Sequence, residues 1–336
     1  MKFKNTILLV TLVALVIWSC HKEEVSAPQW DLTYLGQPLG DSLLNTITIH
    51  PENDDLWLVT AWRGIYVTRD GGVSWENHLS GFSPALEIDP FDPARIWVGS
   101  GFTLYRSEDY GKNWFSLHTF SRPISSLLIS EVDHAVYVGV SWEDSETANG
   151  IFKSEDGGET WTCYSYQVAA KGLIPWDIEE DPVNGKLYIA TEIYDHSPPN
   201  NPPFLRSSDG GRTWEDVSGT LPNNALRIQV HPLNHKVFVL IPGAGLYYST
   251  DFGDHWHFLT SQFWLDFIID KNNPQRFWGS HHTALQRSGG VFLSNNEGED
   301  FEFIGLAGHI VSSLCLNSNS LALYVVSYQR GLYRIK

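Results

Sequence analysis

Two acidic segments of the chain carry residue types that carbohydrate chemistry uses. Residues 141–150 read SWEDSETANG and residues 191–203 read TEIYDHSPPNNPP. Hydrolysis of a glycosidic bond requires two carboxyl groups that face each other across that bond. The candidates for such a pair are Glu143, Asp144, Glu192, Asp195 and Asp177. An ordinary acidic surface explains the same residues without catalysis, so both interpretations stay open.

Aromatic and basic residues elsewhere in the chain favour binding of a ligand. Trp62, Phe102 and Trp142 follow three successive apolar segments, and exposed aromatic rings of this kind can stack on sugar rings. The alternative is that these rings pack against neighbouring loops, since burial is the commoner fate of aromatic side chains. The predicted ligand-binding residues are Trp62, Arg63, Phe102, Trp142, Tyr194, His281, Tyr328 and Arg330.

A short motif that recurs along the chain indicates which elements position these residues. Its pattern is Ser/Thr-x-Asp-x-Gly-x-x-Trp, and its copies are TRDGGVSW (68–75), SEDYGKNW (107–114), SEDGGETW (154–161), SSDGGRTW (207–214), STDFGDHW (249–256) and the degraded SNNEGEDF (294–301). Strand-like segments flank each copy, so the motif predicts a hairpin turn. The Asp accepts hydrogen bonds from its own turn, the Gly supplies a positive φ, and the Trp packs back onto the sheet. The predicted structural residues are Asp70, Asp109, Asp156, Asp209, Asp251, Trp75, Trp114, Trp161, Trp214 and Trp256.

The spacing of the motif predicts a ring of repeated sheets. Two further strands precede each hairpin, as in ALEIDP followed by RIWVGSGF, which gives four strands per repeat. Three strands follow the sixth motif, and WDLTYLG (30–36) begins with Trp, as the strand after each motif does. The sequence therefore predicts an all-β, seven-bladed β-propeller in which the N-terminal strand completes the last blade. Closure of this kind removes exposed sheet edges.

The motif resembles the Asp box of the bacterial neuraminidase repeat (BNR) propellers, and the resemblance covers residues 30–336. It implies that the Asp-box turns lie at one rim and that ligands bind on the opposite face. That face is built from the loops that follow the second strand of each blade, including both acidic segments. Aligning the second strands on Trp57, Trp97, Tyr137, Tyr188, Phe238, Phe277 and Tyr324 places the predicted ligand-binding residues there.

The resemblance implies the fold but leaves the function open, because the superfamily contains sialidases, xyloglucan-degrading enzymes, a sorting receptor and assembly factors. Sialidases carry an Arg-Ile-Pro motif that this sequence lacks, so sialidase activity is disfavoured. Two-propeller xyloglucanases fit poorly because the chain is long enough for one ring. The leading expectation is a non-catalytic propeller that binds a glycan or a partner protein. The alternatives are a glycoside hydrolase or polysaccharide lyase that uses carboxylates of the two acidic segments, and an assembly-factor-type propeller.

The N-terminus predicts export and lipid attachment. A basic start, the apolar run ILLVTLVALVIW and Cys20 indicate a signal peptide over residues 1–19 and a lipidated linker over residues 20–29. The residues before Cys20 resemble a bacterial lipobox, and HKEE after it resembles the export tag of Bacteroidetes surface lipoproteins. The expectation is a monomeric outer-membrane or cell-surface lipoprotein that contacts the membrane only through its lipid.

The charge and the remaining motifs exclude several kinds of partner. The net charge is −17, and loss of Lys2 and Lys4 with the signal peptide takes it to −19, which argues against nucleic acid and anionic lipid surfaces. No phosphate-binding Gly loop, His-Glu-x-x-His or Cys-x-x-Cys occurs, so neither a cofactor nor a metal site is expected. We expect His50 and His231 to cap turns. Cys163 and Cys315 are expected to be small buried residues without a disulfide.

Overall fold

Every described element is a β-strand, in agreement with the alternating sequence pattern. The computed structural model describes residues 30–36, 44–61, 64–81, 85–140, 150–164, 173–193, 203–261, 264–282, 289–317, 319–328 and 330–336. Within these ranges, the strands form seven antiparallel sheets of four strands each. The prediction of an all-β, seven-bladed propeller is confirmed.

Each of the first three blades follows the chain from its inner strand to its outer strand. Blade 1 contains β2 (Leu44–His50), β3 (Asn53–Ala61), β4 (Gly64–Thr68) and β5 (Glu76–Leu79). Blade 2 contains β6 (Ala85–Ile88), β7 (Ile96–Ser100), β8 (Thr103–Ser107) and β9 (Phe115–Thr119). Blade 3 contains β10 (Ile124–Ile129), β11 (Val136–Val140), β12 (Gly150–Ser154) and β13 (Thr162–Tyr164).

The remaining blades have the same order, except that the last one takes its outer strand from the N-terminus. Blade 4 contains β14 (Leu173–Glu180), β15 (Leu187–Ile193), β16 (Phe204–Ser207) and β17 (Glu215–Asp216). Blade 5 contains β18 (Arg227–Val230), β19 (Val237–Ile241), β20 (Gly245–Ser249) and β21 (His257–Thr260). Blade 6 contains β22 (Trp264–Ile269), β23 (Phe277–His282), β24 (Gly289–Ser294) and β25 (Glu302–Gly305). Blade 7 contains β26 (Val311–Asn317), β27 (Ala322–Ser327), β28 (Gly331–Ile335) and β1 (Leu32–Gly36).

The N-terminal strand closes the ring as predicted. In blade 7, Leu32 pairs with Ile335 and Tyr34 with Tyr333 in an antiparallel register. Two backbone hydrogen bonds between Asp31 and Lys336, of 2.9 and 3.1 Å, extend this pairing to the C-terminus. The first and last parts of the propeller are therefore held in one sheet, of which β1 is the outer strand.

The core lies between neighbouring blades. The second strands are the most buried, and all residues of β7, β11, β19 and β27 are inaccessible to solvent or nearly so. Trp97 of blade 2 packs in one apolar cluster with Ile124 and Val138 of blade 3. Strands buried on both faces are apolar throughout, which is why the second strands read as continuous hydrophobic runs.

The Asp-box turns have the predicted geometry. In the third copy, Asp156 Oδ1 accepts hydrogen bonds from the Ser154 hydroxyl (2.8 Å) and the Thr160 N–H (2.9 Å), and the Trp161 indole donates to Gly158 O (3.0 Å). The glycine at the fifth motif position has a positive φ in all six copies, between 75° and 100°. The position before it also has a positive φ, so two successive residues are left-handed. This explains why Gly-Gly occupies three of the six turns.

Two smaller predictions have different outcomes. His50 and His231 do cap turns, since their Nδ1 atoms accept backbone N–H groups of Glu52 and Leu233 at 3.2 Å. Cys163 and Cys315 are free thiols, but the prediction that both are buried is wrong for Cys163, and Cys315 is only partly buried. Cys163 is exposed because it lies on β13, an outer strand, where one face of the sheet is open to solvent.

Candidate functional site

The face opposite the Asp-box turns carries the predicted ligand-binding residues that the structure describes. Phe102 follows β7 and is 48% exposed, and Tyr328 follows β27 and is 39% exposed. Arg330 is exposed, and its backbone N–H donates to Ser327 O at 3.0 Å. His281 on β23 is half-buried, and its ring centroid lies 5.7 Å from that of Phe292. These residues lie at the ends of their blades away from the Asp-box turns.

The candidate carboxylates do not all share this face. Glu192 lies near the end of β15 and is partly buried. Asp177 lies on β14, an innermost strand, and lines the central channel. Trp62, Arg63, Trp142, Glu143, Asp144, Tyr194 and Asp195 lie outside the described residues, as does Cys20.

The channel wall consists of two rings of equivalent positions, defined by how the first strand of each blade pairs with the second. The upper ring, nearer the face opposite the Asp boxes, contains Thr46, Ala85, Ser126, Asp177, Arg227, Asp266 and Ser313. The lower ring contains Thr48, Glu87, Leu128, Glu179, Gln229, Ile268 and Cys315. Charged residues in both rings concentrate in blades 2, 4, 5 and 6.

A β-bulge precedes the upper ring in five blades. In blade 4 the pairing register shifts between Pro175 and Asp177, so Trp176 is the additional residue. The same shift occurs beside Thr46, Ser126, Asp266 and Ser313. Bulges redirect side chains, and Trp176 is 38% exposed at the channel while its neighbours on β14 are more buried.

The channel carboxylates hold neighbouring blades together. Asp177 Oδ2 accepts the backbone N–H of Ile228 in blade 5 at 2.8 Å. Asp266 Oδ2 accepts the N–H of Leu314 in blade 7 at 2.9 Å, and its Oδ1 lies 3.4 Å from Arg227 Nε. The Gln229 amide donates to Glu179 Oε1 at 3.1 Å. Each of these side chains therefore satisfies a polar group across a blade boundary.

Enclosure by the blades shifts the ionisation of the channel carboxyls. Burial raises the pKa of Glu87 to about 8, and the negative charge of Asp177 adds to the rise while Lys271 opposes it. Burial also raises the pKa of Glu179 well above its ordinary value, with a further contribution from Asp177. For Asp177 and Asp266 burial raises the pKa and the Arg227 guanidinium partly offsets that rise. Glu87 consequently retains its proton near neutral pH and can donate a hydrogen bond.

A cavity of about 510 Å³ occupies the channel towards the Asp-box side. Its lining includes Glu87, Glu179 and Gln229, together with Glu131 and Lys271 beyond the ends of β10 and β22. The Lys271 Nζ donates to Glu131 Oε1 at 2.8 Å, so this ion pair links blade 6 to blade 3 across the channel. A second cavity of about 200 Å³ lies next to the upper ring and is bounded by Trp176, Asp177, Arg227 and Asp266.

Sequence reasoning missed Glu87, Arg227, Asp266 and Lys271. For Glu87, Arg227 and Asp266 the signal was present in the first strands, where charged or polar residues interrupt apolar segments at alternate positions, as in ALEIDP and LRIQV. Alternate positions of a strand share one face, so these charges mark the face that lines the channel. The prediction used these segments only to count strands.

The described residues offer no cluster of three or more His, Cys, Asp or Glu side chains arranged to hold a metal ion. Among the same residues, no helix is long and apolar enough to span a bilayer.

These features make the protein a seven-bladed β-propeller with Asp-box hairpins. The BNR-Asp box repeat family model matches residues 104–117, which run from β8 through the second Asp-box turn into β9. The structure of a GH74 xyloglucanase from Xanthomonas campestris superposes with a TM-score of 0.68 and 15% identity, covering 91% of this chain and 53% of that one. The structure of YCF48 bound to D1 peptide superposes with a TM-score of 0.67 and 12% identity, covering 93% of this chain and 97% of that one.

The similar curated sequences are xyloglucanases. An oligoxyloglucan-reducing end-specific xyloglucanase of Emericella nidulans is 22% identical over 247 residues, which is 60% of this chain and 30% of the enzyme. Xyloglucanase Xgh74A of Acetivibrio thermocellus is 34% identical over 153 residues, which is 36% of this chain and 18% of the enzyme. The chain thus matches less than a third of each relative. As the chain length predicts, the match spans only part of these enzymes.

Proposed function

We propose that the protein is a glycoside hydrolase that acts on a β-glucan related to xyloglucan, on the face opposite the Asp-box turns. The observation that carries this proposal is the similarity to a reducing-end-specific xyloglucanase, which extends over 60% of the chain. The exposed Phe102 and Tyr328 rings support it, because aromatic faces stack on the apolar faces of sugars. The net charge of −17 suits a neutral polysaccharide better than an acidic one.

The proposed chemistry uses paired carboxyl groups. One carboxylic acid protonates the leaving oxygen, and a second carboxylate activates water or attacks the sugar. We assign these roles to the 141–150 and 191–203 segments, with Glu143, Asp144, Glu192 and Asp195 as candidates. Asp177 is a weaker candidate, because its Oδ2 already accepts the Ile228 N–H and so has a structural task.

The test uses soluble xyloglucan and mixed-linkage β-glucan with the purified chain. Reducing-end release and retention on an affinity gel are measured together. We expect product from xyloglucan, and a fall of at least about a hundredfold when Glu143 and Asp195 are replaced by Gln and Asn, because acid–base catalysis typically contributes that much. Glu159→Gln is the matched control, since Glu159 is an exposed carboxylate on the Asp-box rim. Absence of product from every glucan contradicts the proposal.

A second candidate is a propeller that binds a glycan or a peptide without cleaving it. The superposition on YCF48 favours it, because that single ring is matched over 97% of its length and its structure contains a bound peptide. The inter-blade hydrogen bonds of Asp177 and Asp266 also suit a binding scaffold. Retention of xyloglucan without reducing-end release would select this candidate.

We further propose that the protein is a monomeric lipoprotein of the outer membrane or cell surface, anchored through Cys20. This proposal rests on the lipobox-like segment that precedes Cys20. Cys20→Ser is expected to release the protein from the membrane fraction. Unchanged membrane association of that variant would contradict it, and protease accessibility on intact cells tests the side of the membrane.

A further inference from the structure

We propose that the upper mouth of the central channel is a binding subsite for one neutral sugar unit, stacked on Trp176 and hydrogen-bonded by Arg227. This inference rests on the proposed function, because the bound sugar would be a chain end or a side branch of the glucan substrate. The site lies on an innermost strand, apart from the loops assigned to hydrolysis.

Trp176 supplies the apolar surface of the subsite. It is the additional residue of the β14 bulge, and its side chain is 38% exposed although its neighbours Pro175 and Ile178 are buried. It borders the cavity of about 200 Å³ together with Asp177, Arg227 and Asp266. An indole face beside polar groups in a concave site is the arrangement that recognises a sugar, whose C–H face is apolar and whose edge carries hydroxyls.

Arg227 supplies hydrogen-bond donors that the described part of the chain leaves unused, apart from its contact with Asp266. Its Nε pairs with Asp266 Oδ1 at 3.4 Å. Among the described residues, its two terminal amino groups donate to no protein acceptor, although the side chain is only 29% exposed. A guanidinium carries five N–H donors, so several remain for oxygen atoms of a ligand. Asp266 is held in turn by the Leu314 N–H, which fixes the orientation of the guanidinium.

The charge and the size of the cavity define the class of ligand. The carboxylates of Asp177 and Asp266 border it, against the single guanidinium of Arg227, so an anionic sugar would meet more negative than positive groups. A volume of about 200 Å³ lies below the range of roughly 300–1,000 Å³ that holds drug-sized ligands, which favours one sugar unit over an oligosaccharide. On the Asp-box side the Lys271–Glu131 ion pair crosses the channel, so a sugar chain enters from the opposite face.

The experiment measures binding of methyl β-glucoside, methyl β-xyloside and glucuronate to the full chain by ligand-observed NMR. Both neutral glycosides are expected to bind and glucuronate is not. Trp176→Ala should weaken neutral glycoside binding about tenfold, the equivalent of 1.4 kcal/mol. Phe303→Ala is the matched control, because Phe303 is 51% exposed on outer strand β25 and should leave binding unchanged.

Three results separate the two proposals. Cleavage of xyloglucan with no binding of either neutral glycoside overturns the subsite and leaves the hydrolase intact. Glycoside binding that Trp176→Ala abolishes, without action on any glucan, supports the subsite and overturns the hydrolase. Equal binding by wild type and Trp176→Ala, or tighter binding of glucuronate, overturns the subsite.

A second variant tests the hydrogen bonds of the subsite. Arg227→Lys, which keeps the positive charge but loses the guanidinium donors, should also weaken binding without loss of fold.

Discussion

Asp266 of blade 6 accepts the backbone N–H of Leu314 in blade 7 at 2.9 Å, and the same carboxylate pairs with Arg227 of blade 5. One buried side chain therefore ties three successive blades at the channel. Burial raises the pKa of Asp266, because a charged carboxylate is less stable where water cannot solvate it.

Removal of that carboxylate should destabilise the ring. Asp266→Ala leaves the Leu314 N–H and the Arg227 guanidinium without their partner, and the expected loss is about 2–4 kcal/mol of unfolding free energy. Urea denaturation measures it. Asp266→Asn should lose less, because its amide oxygen can still accept from Leu314. Glu302 is an exposed carboxylate of the same blade, so Glu302→Ala should change stability little. An equal loss of stability in Asp266→Ala and Glu302→Ala would refute the structural role of Asp266.

Gly158 tests the backbone of the Asp-box turn. Its φ is +92°, and a Cβ at this position would lie 3.0 Å from Leu117 Cδ1 and 3.2 Å from Trp97. Gly158→Ala should therefore cost about 1–3 kcal/mol of stability, from the left-handed conformation and the close contact together. Binding and cleavage of glucan should be unaffected in the folded protein. Thermal unfolding measures the stability and the xyloglucan assay measures the activity. Loss of activity in a folded Gly158→Ala protein would place the functional site at the Asp-box rim and contradict the prediction.

Asp156 tests the titration of the Asp boxes. Hydrogen bonds from the Thr160 side chain and backbone, and from Ser154, lower its pKa to about 2, and Asp70, Asp109 and Asp251 behave alike. Because the folded pKa lies below the ordinary aspartate value of 3.8, this stabilisation is complete above pH 3.8 and is lost as the pH falls towards 2.

Asp156→Asn should retain the turn and lose the titration. The sixth copy provides the precedent, since Asn296 Oδ1 accepts the Ser294 hydroxyl (2.8 Å) and the Asp300 N–H (3.0 Å). The variant should show a shallower loss of unfolding free energy between pH 3.8 and 2 than wild type. Identical acid profiles would mean that this carboxylate is not titrating as described.

Glu87 should have the opposite dependence. Burial raises its pKa from 4.5 to about 8, so the folded state binds a proton that the unfolded state has lost over that interval. Stability contributed by this group therefore falls as the pH rises from 4.5 to 8. Glu87→Gln should remove that part of the fall. The free energy of unfolding of the variant should therefore rise relative to that of wild type between pH 5 and pH 8. Urea unfolding at the two pH values measures it, and a pH-independent difference between the proteins would contradict the raised pKa.

The blade architecture was predictable because each Asp box is a local structure. Asp156, Gly158 and Trp161 interact within eight residues of one another, and repetition showed that the turn is structural. The ring closure was predictable because the segment beginning at Trp30 matches the strand after each motif.

The channel was not predicted because its register appears only when strands pair. Alignment on aromatic residues treats Trp57 and Trp97 as equivalent, yet Trp57 pairs with Thr68, the first Asp-box residue, while Trp97 pairs with Arg106, one residue earlier. The indole side chains of Trp57 and Trp97 face opposite sides of their sheets. Trp57 packs edge-on to Tyr324 of blade 7, and Trp97 packs towards blade 3. Either side of a second strand buries an aromatic ring, so burial alone leaves the register undefined.

The proposed glucan site is tested most directly by a crystal structure of the chain with a bound xyloglucan oligosaccharide. We expect sugar density on the face opposite the Asp boxes, near Phe102 and the end of β15, with one unit over Trp176. Density confined to the Asp-box rim, or to the outer strands, would contradict it.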